Sequence, residues 1–402
     1  MTETVKTKHF NSRALLWTLL MISFVQMPQF AVTPAIDLIA TEVFPERTLQ
    51  SVQAAMSLIS FISIGAGVIS ALLVRFGLSS KKFMTVLGVM FFAATGVTAL
   101  FLNTQFWHFG LLNVLLGMGM GVCIPNTQSI MFDNFDEQKR QFITGIQSAF
   151  LNGGGIALSI IGGLLTTIVW FGGYLATLLA VPAVIAAIIF IPRDERIKIG
   201  DGTVRTKLPT GVYFNAFLIF TFAIVHNVSA MNISTHIANG NIGDAATAGI
   251  ATAMMMGGGV ITGLLFPKIS PVLKDYMFPT AFCLLFVSFS IFNLFPTSLF
   301  MTMVGMFISG ITISVFMPRC IFNVSNMTDP SNSSAATVFI ACVAPGSGGF
   351  LSPIIMTNLT YALAGDSTRF RYQFTAFVCL AIAVALLIHV MRKSKREKEA
   401  TA

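Results

Sequence analysis

Charge is scarce in this chain. Only 10% of its 402 residues are Asp, Glu, Lys or Arg, against roughly a quarter in ordinary soluble domains. No region is polar enough or long enough to form a soluble domain or an extended disordered arm. Cysteine is also sparse: Cys123, Cys283, Cys320, Cys342 and Cys379 all fall in apolar segments. An odd number of thiols placed there excludes a disulfide framework, and their spacing offers no metal site. They read as small buried hydrophobes. The chain has no GxxxxGK[ST] loop, which excludes ATP-driven pumping within it, and no HExxH or GxSxG. Neither an enzyme nor a cofactor is implied.

Hydrophobic residues make up 55% of the chain, with 38 Phe and 21 Met. Apolar runs recur at membrane-spanning length, about 20 residues each. The first, near 14–40, is too long for the apolar region of a cleaved signal peptide. Spans are predicted near 14–40, 50–74, 83–102, 107–132, 142–168, 172–191, 212–237, 245–266, 277–295, 299–323, 335–363 and 371–391. That is an all-α, twelve-helix membrane protein. Residues 1–191 form one six-helix half and 212–402 the other, with 192–211 as a polar loop between them.

With the N-terminus inside, all but Arg47, Arg369 and Arg371 of the 24 basic residues lie on the cytoplasmic side. Both termini are therefore expected in the cytoplasm, in the plasma membrane of a bacterial-type cell. The same asymmetry accounts for the net charge of +8 without a nucleic-acid partner; the partners implied are the bilayer and a small solute. A shift of 193 residues lays the fourth and fifth spans on the tenth and eleventh: Gly117 on Gly310, Pro125 on Pro318, Thr144 on Thr337, Gly155 on Gly348. Two halves of the same orientation imply parallel repeats.

Twelve spans, parallel six-span repeats and a cytoplasmic middle loop resemble the major facilitator superfamily along essentially the whole chain. Between spans two and three, "VRFGLSSKK" is similar to the family's loop motif, keeping Arg75, Gly77, Lys81 and Lys82 with Val74 in place of its Asp. The resemblance implies a gating role for those four. In span four, "NVLLGMGMG" puts Asn113 where proton-coupled members carry an Arg. In span five, Gly145, Gly154 and Gly162–Gly163 match part of the antiporter glycine pattern. The resemblance also implies alternating access, with the first and seventh spans lining a central cavity.

The stretch "FVQMPQFAVTPAIDLIA" carries the polar groups expected there. At 100° per residue Gln26, Gln29, Thr33 and Asp37 share an arc of about 80°, a stripe suited to protein or a water-filled path rather than lipid. Span seven carries His226, Ser229, Asn232 and His236 within about 120°. His226 falls opposite Thr33 in the repeat, so Asp37 and His226 are the expected proton-coupling pair. Gln26, Gln29, Asn113, Asn152, His226 and Asn232 are the expected solute contacts. Arg319 is expected to bind an anionic group, to close an inner gate against an acid such as Asp133, or to reach the interface. His236 is expected near the surface, and Arg369 and Arg371 are expected to be exposed. The function read from these residues is proton-coupled secondary transport of a small organic solute by a monomer, leaning towards export. Uptake, uniport or exchange, and a non-transporting receptor or lipid-handling protein, are the alternatives.

Overall fold

The computed structural model describes residues 12–135, 137–192, 208–327 and 339–401. Most of the central loop, the Arg75 side chain and the Asp133 side chain lie outside the described residues. Every regular element among the described residues is helical. Eleven helices are long and apolar enough to cross a membrane, and a twelfth, interrupted helix completes the set. They are α1 (Ser12–Val43), α2 (Leu49–Arg75), α3 (Lys81–Phe101), α4 (Phe106–Asn134), α5 (Glu137–Thr166) and α6 (Gly172–Phe190). There follow α7 (Thr210–Asn239), α8 (Ala245–Leu273), α9 (Met277–Leu294), α10 (Leu299–Met327), α11 (339–364) and α12 (Thr368–Thr401). Short connections make successive helices run in opposite directions. One end of the bundle, here the terminal face, carries the start of α1 and the end of α12. The other, the distal face, carries the α1–α2, α7–α8 and α11–α12 turns.

Proline explains two of the irregular helices; the third, α6, carries a 3-10 stretch at Ala176–Leu179. In α1 the regular turns stop at Phe24, and Pro28 and Pro34, which lack an N–H, leave a break, a 3-10 turn (Thr33–Ala35) and a π turn (Ile39–Val43). In α11, which carries Pro345 and Pro353, a π turn (Phe339–Val343) precedes Ala344–Ser352 and a second (Pro353–Thr357) separates it from Asn358–Ala364. Single prolines, Pro125 in α4 and Pro318 in α10, are tolerated within long helices. Helix starts outside the membrane are capped: Thr48 accepts from Ser51 N–H, Ser80 from Phe83 N–H, and Asp244 from Thr247 N–H. The Thr247 N–H bond holds the Asp244 carboxyl below the usual range. Between α2 and α3, Gly77 has φ +67°, a left-handed turn that glycine adopts without strain.

Two large apolar cores form, with a small third cluster of Ala31, Leu158 and Ala176. One runs from Leu15 to Ile191 within α1–α6, the other from Val212 to Leu386 within α7–α12. Helices α1, α5, α7, α8, α2 and α11 meet between them, with α5 against α8 and α2 against α11. Met27, Phe30 and Ile156 of the first six helices pack on the second core.

Candidate functional site

The hydrogen bonds between described residues that join the first six helices to the last six lie near the distal face. Gln53, one turn into α2 and fully buried, is the centre of this seam. Its amide donates to Met231 O at 2.9 Å and to Asn232 Oδ1 at 3.0 Å, both on α7, and its Oε1 accepts from Thr357 Oγ1 of α11 at 2.7 Å. Beside it, the Asp37 backbone N–H donates to Ser234 Oγ at 3.2 Å. The irregular stretch around Pro34 lets a backbone group of α1 bond to a neighbouring helix.

Behind Asn232 stands Arg371, 0% exposed. Its NH1 donates to Asn232 Oδ1 at 2.6 Å, its Nε to Thr360 Oγ1 at 3.3 Å, and its NH2 to Asp366 Oδ1 at 3.2 Å. A buried cation is stable only when paired and hydrogen-bonded, and here every nitrogen has a partner within the last six helices. The expectation that Arg371 is exposed is therefore corrected. It begins the second turn of α12, which starts at Thr368 rather than at 371, and faces α7 and α11. Arg371 holds Asn232 as the socket into which Gln53 fits.

Nearer the middle of the bundle, polar groups from both halves converge. A Cβ built on Gly349 of α11 would meet Ser60 Oγ of α2 at 3.2 Å and Asn227 Nδ2 of α7 at 3.9 Å. One built on Gly259 of α8 would meet Ser314 Oγ of α10 at 3.2 Å and Asn152 Oδ1 of α5 at 3.9 Å. Met256 Sδ and Met27 Sδ flank Gly155 in the same way, at 3.3 and 3.7 Å. Gln29 lies half-buried on α1, with its Oε1 enclosed and unpartnered. These groups are neutral amides, hydroxyls and thioethers, able to hydrogen-bond a solute and pack on its apolar parts.

The remaining predicted residues go elsewhere. Gln26 Nε2 donates to Thr127 Oγ1 at 3.2 Å and touches Cys123 Sγ at 3.5 Å, joining α1 to α4. Asn113 is fully enclosed: its Nδ2 donates to Ala55 O at 3.1 Å, and its Oδ1 accepts from Tyr174 Oη at 2.7 Å. It braces α2, α4 and α6 instead of facing the seam. His226 turns towards α10, where its Nε2 lies 3.2 Å from Ser309 O, and it stacks on Phe222 at 5.2 Å. Ser309 Oγ lies 3.5 Å from the same nitrogen. The imidazole is directed at α10 rather than across to Asp37. His236 is buried against Thr302 Oγ1 at 3.1 Å and beside Tyr372, not at the surface. Asn232 lies in the distal seam.

Arg319 pairs with Asp275 at 2.8 Å, and Lys393 takes the other carboxylate oxygen at 2.7 Å. This ties the terminal ends of α9, α10 and α12 together within one half. Lys82 Nζ donates to Ile188 O at 2.8 Å and Ile191 O at 2.6 Å, closing the end of α6 within the other half. Sequence reasoning missed Gln53, Ser60, Asn227, Ser314 and the burial of Arg371. The neighbour of His226, Asn227, is rotated 100° from it and donates to Gly349 O at 3.2 Å.

The model of the Major Facilitator Superfamily matches residues 18–271. No curated protein matches the sequence significantly. Among solved structures, the nucleoside transporter NupG superposes with a TM-score of 0.71 at 17% identity, covering 93% of this chain and 98% of its own. A bacterial homolog of the human lysosomal transporter Spinster, in an inward-facing and occupied conformation, gives 0.69 at 15% identity, covering 96% and 98%. The human organic anion transporter MFSD10 gives 0.66 at 12%, covering 94% and 100%. At these identities the likeness is one of fold.

Proposed function

The chain belongs to the Major Facilitator Superfamily, and from that premise we propose that it is a proton-coupled secondary transporter of a small, neutral or amphipathic organic solute. The terminal face, with most of the Lys and Arg, is the cytoplasmic one. With the distal seam hydrogen-bonded, this conformation faces inward. One chain supplies both sides of the seam, so a monomer suffices. Gln29, Asn152, Asn227, Ser60 and Ser314 contact the solute's polar groups, and Met27, Met256 and Phe30 its apolar ones.

The observation that carries the reading is the position of Asp37. It lies in the outer part of α1, six residues from the end of the span, half-buried, with its own N–H bonded to Ser234 on α7. Burying a carboxylate costs far less once it is protonated. The protonated form therefore favours the closed seam, and the ionised form favours opening to water. That differential is what a ligand needs to shift a two-state equilibrium. A proton taken up from outside is carried to the inward-facing state, and the membrane potential drives it at roughly 2.3 kcal/mol per charge per 100 mV.

The test uses purified protein in liposomes, with labelled solutes of several classes and an imposed pH gradient. Asp37→Asn abolishes accumulation against a gradient but retains exchange of internal for external solute. Accumulation equal to wild type overturns the coupling.

A further inference from the structure

A cavity lies away from the polar centre. Helices α2 and α3 each pack along α4, so α4 floors a groove walled by the other two. The groove has a volume of about 740 Å³ and runs along α2 from Phe61 to Leu73, reaching Met84, Leu87 and Phe91 of α3. At its mid-membrane end α11 closes it, with Phe350 packed on Phe61 at 4.8 Å between ring centroids. No charged side chain among the described residues lines it. The Ser70 hydroxyl inside it accepts from Asn126 Nδ2 at 2.7 Å and is thereby engaged. The rim opens outwards, with Phe61 52% and Ile69 59% exposed.

We infer that this groove holds one acyl chain of a membrane phospholipid. Its length supports this: twelve residues of helix at about 1.5 Å each span roughly 18 Å, close to the depth of one leaflet in a hydrocarbon core about 30 Å thick. It occupies the terminal half of the bilayer's depth, where acyl chains are the surrounding solvent. Its apolar lining gives water too few partners to stay. Gly65 marks the vacant volume, since a Cβ there meets nothing within 4 Å.

Ser347, Phe350 and Leu351 come from the last six helices and the rest of the lining from the first six. Closure of its mid-membrane end thus belongs to this arrangement of the halves. A chain seated in it binds this conformation better than one in which α11 has moved from α2, so it stabilises the closed distal seam.

The inference rests on the membrane placement alone and survives failure of the proton-coupling reading. The probe is phosphatidylcholine carrying a photoreactive diazirine on its acyl chain, in nanodiscs with the full-length protein. Digestion and mass spectrometry are expected to find labels concentrated on Leu87, Phe91 and Val114, above those on Ile185 and Ile189, the exposed residues of α6 that serve as the lipid-facing control. Gly65→Phe, and the smaller plug Gly65→Leu, lower groove labelling several-fold and leave α6 labelling unchanged. Groove labelling no higher than that on α6, or labelling unaffected by both plugs, overturns the inference.

Discussion

Gln53 Nε2 and Asn232 Oδ1 lie 3.0 Å apart, one carried by α2 and the other by α7, and the same Asn232 oxygen receives Arg371 from behind. One amide of the first six helices is inserted into a polar socket of the last six. Closure of the distal seam is therefore concentrated at a side chain that can be removed.

Gln53→Ala deletes its bonds to Met231, Asn232 and Thr357. At about 1 kcal/mol net each, the closed-to-open ratio falls by about 100-fold. Thr357→Cys, in a background without the native cysteines, is then modified faster by a membrane-impermeant maleimide when Gln53 is absent. An unchanged rate shows that the seam does not depend on Gln53.

Arg371→Ala leaves Asn232, Thr360 and Asp366 without their shared donor. Leaving these buried polar partners unsatisfied costs about 1–3 kcal/mol, and thermal unfolding in detergent should move down by several degrees. Because both residues act on Asn232, the Gln53→Ala and Arg371→Ala effects combine non-additively in a double-mutant cycle.

Much of the fold is legible in the residue pattern, because hydropathy over about 20 residues reports span length directly. The interior of α1 is harder to read. A constant 100° per residue places Gln26 and Asp37 on one face, but Pro28 and the 3-10 turn at Thr33 rotate the helix between them. Gln26 meets Thr127 of α4, while Asp37 meets Ser234 of α7. His226 and Asn227 are adjacent in sequence and point at different helices, a distinction that only α10 and α11 can make. Arg371 lies near a span end, where snorkelling is the ordinary outcome, and its burial depends on partners at 232 and 360 that no local pattern links to it.

Two asparagines separate stability from solute recognition. Asn113→Ala loses an enclosed bridge and should destabilise by about 1–3 kcal/mol, read by thermal unfolding. Asn227→Ala should raise the KM for solute several-fold with little change in unfolding temperature. The reverse pattern assigns the solute site to the α2–α4–α6 side.

Adjacent glycines in α5 differ in what a methyl group would meet. On Gly154 it would run into the Phe24 carbonyl of α1, whereas on Gly153 it meets nothing within 4 Å. Gly154→Ala should lower stability by about 1–3 kcal/mol through forced overpacking. Gly153→Ala should be neutral or slightly stabilising, since alanine is favoured over glycine in a helix by about 1 kcal/mol. Thermal unfolding of the two variants side by side decides this.

The most direct measurement is the distance between spin labels at Glu46→Cys and Asn241→Cys, both exposed on the distal face, in a background without native cysteines and reconstituted in nanodiscs. At acidic pH, where Asp37 is protonated, a single short distance is expected. Raising the pH should add a longer-distance population as the ionised carboxylate favours the open seam. In Asp37→Asn the short distance should predominate and the distribution should not shift with pH. One distance at all pH values in the otherwise unaltered protein, or the same pH response in Asp37→Asn, would contradict control of the seam by Asp37.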